Sequence, residues 1–243
     1  MSLRTAIQQY PAGSFFGVAF SVSWGSGLAV MVPKLLSDKA LEPMDALLLF
    51  PVLVIGVGLA GILFTSMVGG RRGLRDLFSR MVRWRVRICW YAALLIPPSL
   101  ITLILLSLRK ALSQDFAPNF FPLGILFGLF PGLSEEIGWM GYAFPIMKAN
   151  RGILRTSLLL GVLWALWHLP VANYLGAAAP HRAYWPFFFL AFGAILTAMR
   201  ILIVWVYCNT QSLLLAQLMH ASSTGSLIVL SPPHVSPAQE AFW

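Results

Sequence analysis

The chain has 243 residues, of which 58% are hydrophobic and only 10% charged, with a net charge of +9 and two cysteines. Charged residues make up about 25% of an average globular domain, so this composition excludes a soluble domain. It implies an integral membrane protein whose residues 1–243 pack as one unit. The basic residues cluster between apolar segments rather than interleaving with aromatics on a polar face, which argues against a nucleic-acid partner. Cys89 and Cys208 have neither disulfide nor metal-ligand spacing.

A membrane helix needs about 20 mostly apolar residues, and this criterion predicts an all-α, polytopic bundle of about seven spans. They fall at roughly 14–33, 44–68, 88–108, 119–147, 156–171, 185–208 and 211–230, with an eighth left open. The first has one early charge, Arg4, and no small-x-small cleavage site, so it is expected to be retained rather than cleaved as a signal. Between the second and third, RRGLRDLFSRMVRWRVR (71–87) sets Arg71, Arg72, Arg75, Arg80, Arg83, Arg85 and Arg87 against a single acid, Asp76. Leu74, Leu77, Phe78, Met81, Val82 and Trp84 recur near helical spacing, predicting an amphipathic helix lying on the inner leaflet. Its arginine excess makes the loop cytoplasmic, and alternation of spans then puts the N-terminus inside, in a multi-pass protein of the cell membrane. Lys148, Arg151 and Arg155, two connections on, agree with that orientation. His181 and His234 fall in outer segments and read as surface residues.

The fourth span contains SEEIGWMGYAFP, with Glu135 and Glu136 adjacent in a chain that has almost no other acid. Charged groups at mid-bilayer cost about 2.5–3.5 kcal/mol each on insertion scales, so the pair needs a reason. At about 1.5 Å per residue from the inner ends of their spans, Glu135 lies about 18 Å deep, His168 of the fifth about 18 Å, and His220 of the seventh about 15 Å. Two carboxylates and two imidazoles at one depth make a candidate hydrolytic site: a carboxylate can take a proton from water, and an imidazole can orient that water or stabilise developing charge. The plainer reading is that Pro131-Gly132-Leu133-Ser134 starts a helix inside the membrane, with Ser134 as N-cap and the acids in its first turn. Gly124, Gly128 and Gly132 recur every four residues and continue through Glu136 to Met140, a spacing that lets a neighbouring helix approach the Glu136 face. Glu135 is about 100° round the helix, on the face of Trp139, so the two acids are expected to serve different ends.

At these residues the sequence resembles the CAAX prenyl protease and bacteriocin-processing family of intramembrane endopeptidases, whose members carry EExxxR, FxxxH and HxxxN/D motifs on separate membrane helices. EEIGWMG holds Glu135 and Glu136, WALWH holds His168 with Trp164 in the aromatic position, and HASST holds His220. The resemblance covers roughly residues 70–225, with the core helices in 119–225. It implies peptide-bond cleavage in the membrane, in some members near the C-terminal CAAX site of prenylated proteins, so the expected partners are the bilayer and a membrane or prenylated peptide substrate. It further implies Glu135 as the base that activates water with help from His168, His220 and Thr224 as oxyanion donors, and Glu136 as the supporting acid. No cofactor is expected, although Glu and two His could bind zinc, and a divalent metal stays open with no HExxH present.

Two positions depart from the pattern: Met140 stands where the arginine is expected, and Thr224 where the asparagine or aspartate is expected. A hydroxyl can still donate, but Met140 leaves Glu136 without its i,i+4 cation. Arg200 of the sixth span, about 12 Å from its inner end, is a candidate replacement if the helices are neighbours; snorkelling of that side chain to the inner surface is the stronger expectation. Two other readings remain: a catalytically silent membrane scaffold or immunity protein of the same fold, and a transporter or proton relay built from the same buried groups.

Overall fold

The computed structural model describes Ile7 and residues 9–37, 43–170 and 182–240; His181, read above as a surface residue, lies outside them. The described residues form an all-α bundle without strands. The main helices are α1 (Pro11–Leu36), α2 (Pro43–Met81), α3 (Cys89–Ala111), α4 (Gly124–Gly138), α5 (Phe144–Arg151), α6 (Ile153–Trp167), α7 (Trp185–Thr210) and α8 (Leu213–Leu230). Each of the seven expected segments falls on this series. Among the described residues, five helices are long and apolar enough to cross a membrane: Pro11–Lys34, Val54–Met81, Cys89–Ala111, Trp185–Thr210 and Leu213–Leu230. The chain is thus a multi-pass membrane protein.

The two remaining segments are helical but irregular, and they carry the acids and His168. α4 continues through a π turn, Trp139–Ala143, into α5, so the helical stretch runs on past the acids. α6 has 15 residues, about 22 Å at 1.5 Å per residue, short of a hydrocarbon core of about 30 Å. It stops at His168, and helix resumes at Leu169 and Pro170, where proline's missing N–H costs nothing in a first turn. The carbonyls left at that end find donors: Trp164 O accepts from the His168 backbone N–H, and Trp167 O accepts from Trp24 Nε1 of α1 at 3.1 Å.

Ser134 is not an N-cap. The helix starts ten residues earlier at Gly124 and runs through Pro131, and the Ser134 hydroxyl donates back to Phe130 O at 2.8 Å. Proline in a helix interior removes one ladder bond, tolerated in membrane helices when neighbours supply donors. Two residues on, Gln217 Nε2 of α8 donates to Leu133 O at 2.6 Å, a tie to α8 separate from the Phe127 carbonyl that Pro131 leaves without its ladder donor. With helix on both sides, Glu135 and Glu136 gain nothing from a helix N-terminus.

α4 is the centre of the bundle, packed between α8 and α2; α6 packs on α7, and α7 on α8. Glycine makes both α4 interfaces close. A Cβ on Gly128 would lie 2.5 Å from Ala221 O and 2.6 Å from Gly225 Cα of α8, and one on Gly132 would lie 2.6 Å from Gln217 O. Facing α2, a Cβ on Gly138 would lie 2.5 Å from Val57 O, and one on Gly61 2.7 Å from Gly138 Cα. Helix backbones in lipid come this near only where side chains are missing.

The basic segment departs from its expected form. A non-helical residue, Gly70 (φ 56°), kinks α2, after which residues 71–81 continue as helix, but the helix ends at Met81 instead of running to 87. Other elements take over its last carbonyls: Ser212 Oγ donates to Arg83 O at 2.5 Å and Tyr91 Oη to Trp84 O at 2.6 Å. Satisfied by tertiary donors, those carbonyls no longer need a further helical turn. Leu77 of the helical part is fully buried, and a Cβ on Gly141 would lie 2.6 Å from its Cδ1.

Replacing Gly128 by alanine is expected to destabilise the protein by about 1–3 kcal/mol, because backbone on α8 must move. Gly17→Ala on α1, where a Cβ meets nothing within 4 Å, should stay within about 0.5 kcal/mol of the parent. Thermal unfolding of both variants in detergent checks the contrast.

Candidate active site

Successive residues on a helix point about 100° apart, and Glu135 and Glu136 accordingly meet different neighbours. Glu135 is 2% exposed; its Oε2 accepts from Trp139 Nε1 at 3.0 Å, one turn along the same helix, and from Trp164 Nε1 of α6 at 2.9 Å. Two neutral donors therefore hold one oxygen and leave Oε1 for another partner. Glu136 is fully buried and matched by charge: Arg200 Nη1 of α7 donates to Oε1 at 2.9 Å and to Oε2 at 2.7 Å, and His220 Nδ1 of α8 lies 2.7 Å from Oε1.

Arg200 is fully buried, so it does not snorkel; its cation stands in the place that Met140 vacates. The guanidinium carbon sits 4.3 Å from the Trp164 ring centroid, a cation–π contact. Its Nε and Nη2 have no hydrogen-bond partner among the described residues. Depth did not decide this outcome. An arginine about 12 Å from the inner surface can reach water or a buried acid, and the close packing of α7 on α6 and α8 closes the route outward.

Hydrogen bonds fix the tautomers of both histidines. His168 Nδ1 is 2.8 Å from Trp164 O. A carbonyl only accepts, so Nδ1 carries the proton and Nε2 is left as an acceptor when the ring is neutral. His220 Nδ1 faces an acid ion-paired to arginine, so it too is the protonated nitrogen, and its Nε2 makes no hydrogen bond among the described residues.

Trp164 joins these groups. Besides its bond to Glu135 and its contact with Arg200, its ring meets His168 edge-on at 5.4 Å and His220 at 4.9 Å. Trp167 and Phe192 flank His168 at 4.8 and 5.7 Å. Glu135, Arg200, His168 and His220 therefore surround one indole, with Glu136 bonded to two of them. Thr224 lies one turn beyond His220 on α8, half-buried, and its hydroxyl makes no hydrogen bond among the described residues. Met140 is fully buried in the π turn, where Arg80 Nη2 donates to the neighbouring Gly141 O at 3.2 Å and Arg80 Nη1 to Tyr207 Oη at 2.7 Å.

The sequence reading did not assign the indole donors. Trp139 had been placed on the face of Glu135, and Trp164 four residues before His168; asking which N–H groups a buried carboxylate could find would have pointed to both. Among the described residues no three His, Cys, Asp or Glu side chains form a group able to hold a metal ion.

Replacing Arg200 by methionine leaves the Glu136 carboxylate buried without its cation and is expected to cost about 3–5 kcal/mol. Adding Glu136→Gln should recover a large part, so thermal unfolding should give a double variant more stable than Arg200→Met alone.

Residues 117–225 match the model of a family described as Rce1-like, type II CAAX prenyl endopeptidase Rce1-like. A relative named CAAX prenyl protease 2, from Methanococcus maripaludis, is 33% identical over 112 residues, 44% of this chain. The chain spans only 39% of that relative's length. The matched residues 117–225 hold α4, the short helix ending at His168 and the part of α8 bearing His220 and Thr224.

Proposed function

We propose that this protein is an intramembrane endopeptidase that hydrolyses a peptide bond of a membrane-embedded or prenylated substrate with water activated by Glu135. The observation that carries the reading is the anchoring of Glu135: two indole N–H groups hold Oε2 and leave Oε1 without a hydrogen bond among the described residues, and one of those indoles, Trp164, also packs on His168 at 5.4 Å, whose acceptor Nε2 is likewise unbonded among them. Both atoms accept hydrogen bonds, which suits a water that donates to each. Glu135 Oε1 takes a proton as the water oxygen attacks the scissile carbonyl, and the same carboxyl then passes that proton to the leaving amine.

His220 and Thr224 stabilise the oxyanion in this scheme. Nδ1–H of His220 already donates to Glu136, so the imidazole offers a proton from Nε2 only as imidazolium. Glu136, sharing its charge between Arg200 and His220, is the counter-ion that permits this second positive charge. Thr224 supplies a hydroxyl donor one turn away. The match of residues 117–225 to the family model and the name of the archaeal relative support a CAAX-type prenylated peptide as the substrate class. The arginine excess of residues 71–87 supports a cytoplasmic side for that segment and the N-terminus, in the cell membrane.

A second reading, a silent scaffold of the same fold, has its own support. The Trp164 ring packs against both histidines, and Glu135 and His220 are 2% and 1% exposed, so the groups stand in a closed arrangement. On the enzymatic reading, substrate entry displaces part of this packing.

Cleavage of a panel of membrane-embedded and prenylated peptides by the purified protein separates the two. Glu135→Ala and His168→Ala should each lower turnover by about 100-fold or more, the scale of a lost general base. Equal turnover by the parent and both variants sinks the catalytic assignment, and no turnover by the parent on any peptide favours the scaffold. Repeating the assay with a chelator tests whether a divalent metal takes part.

A further inference from the structure

Away from the acids, residues 82–88 and the start of α3 border an open cavity of about 980 Å³ with the end of α7, lined by Trp84, Arg85, Arg87, Trp90, Tyr91 and Asn209. Its wall is preformed. Ser212 and Tyr91 hold the carbonyls of Arg83 and Trp84, and the Trp90 backbone N–H donates to Arg87 O at 3.0 Å. Trp90 is braced against Trp205 with ring centroids 4.9 Å apart. With its carbonyls turned inward, the segment leaves the side chains of Arg85 and Arg87 exposed.

The lining includes no acid, and neither guanidinium is in an ion pair among the described residues; Arg85 rests over the Trp84 ring at 5.1 Å. The nearest acid in sequence, Asp76, is already bonded to Arg80 at 2.9 Å. Trp84 and Ile88 are exposed at 60% and 81%. The cavity lies where α7 ends and α3 begins, which is the level of the membrane surface for two spanning helices. Two unpaired cations, indole rings and exposed apolar side chains at that level match an amphiphile with an anionic head and hydrocarbon tails.

We propose that this cavity is a binding site for an anionic phospholipid of the surrounding bilayer, with Arg85 and Arg87 on the phosphate, Asn209 on the polar head, and Trp84, Trp90 and Ile88 against the glycerol and upper acyl chains. Bidentate guanidinium geometry suits a phosphodiester better than an ammonium would. The site is separate from the buried acids and does not depend on whether the protein cleaves peptides.

The test uses the purified full chain in mixed micelles titrated with phosphatidylglycerol or phosphatidylcholine, with retained lipid counted by native mass spectrometry. The parent should prefer phosphatidylglycerol. Arg85→Gln with Arg87→Gln should reduce that preference roughly 10- to 30-fold, and Arg85→Lys with Arg87→Lys should keep part of it. Arg71→Gln with Arg72→Gln, which removes the same charge from exposed positions outside the cavity, should change it by less than about threefold. An equal loss in both glutamine pairs would mean diffuse surface charge and overturn the proposal, as would no preference in the parent. Displacement of the lipid by inorganic phosphate or by a soluble acidic peptide would instead assign the cavity to a small anion or a protein partner.

Discussion

A carboxylate held between membrane helices must find its donors and its countercharge on other helices, because neither water nor lipid supplies them. This chain buries two such groups side by side and satisfies them differently. Glu135 is held through one oxygen by two neutral N–H groups, Glu136 through both oxygens by a guanidinium and an imidazole. Those partners sit on α6, α7 and α8 as well as on α4 itself. A slide or rotation of any one of these helices would strip a buried charge of its partner, at a cost of about 3–5 kcal/mol. The acids thus set the register of four helices, whatever chemistry they perform.

Close approach makes this arrangement possible. Glycines 124, 128 and 132 bring the α4 backbone against α8, so His220 reaches Glu136 at 2.7 Å. On the far side Gly58, Gly61 and Gly138 bring in α2, and the helix then widens into the π turn at Trp139–Ala143. A π turn shifts the hydrogen-bond ladder by one residue, a distortion found often at functional sites. Here Arg80, from the basic end of α2, donates to the Gly141 carbonyl within it and to Tyr207 of α7. The arginine-rich segment is thus tied directly to the turn that follows the two acids.

Trp164 gives the cluster its compactness. It donates to Glu135, lies under the Arg200 cation and touches both histidines edge-on. An aromatic residue lacking N–H could occupy the same space and flank the same rings, but could not bond the carboxylate. The indole at this position thus adds a donor to the site, as Arg200 adds a cation carried on a different helix from the acids.

Much of this was legible in the amino-acid order. Apolar length marked the helices, and the constant rise of a helix put Glu135, His168 and His220 at one depth before any contact was known. The i,i+4 relation of Glu135 to Trp139 and the four-residue spacing of the glycines became a hydrogen bond and a close helix interface. The reading failed where a local signal competed with tertiary donors. Pro-Gly-Leu-Ser looked like a helix start, yet the helix runs through it, with Gln217 of α8 bonding the Leu133 carbonyl within it. The basic segment looked helical to residue 87, yet Ser212 and Tyr91 stop it at Met81.

Arg200 marks the boundary most sharply. Sequence alone determined that a lone arginine lay within a spanning helix and that Glu136 lacked its expected neighbour, since composition and axial position are properties of one helix. Whether that arginine turned to the surface or to the acid depended on which helices stand beside it and on its direction around the axis. Those are relations between helices far apart in the chain, and only the packed bundle decides them.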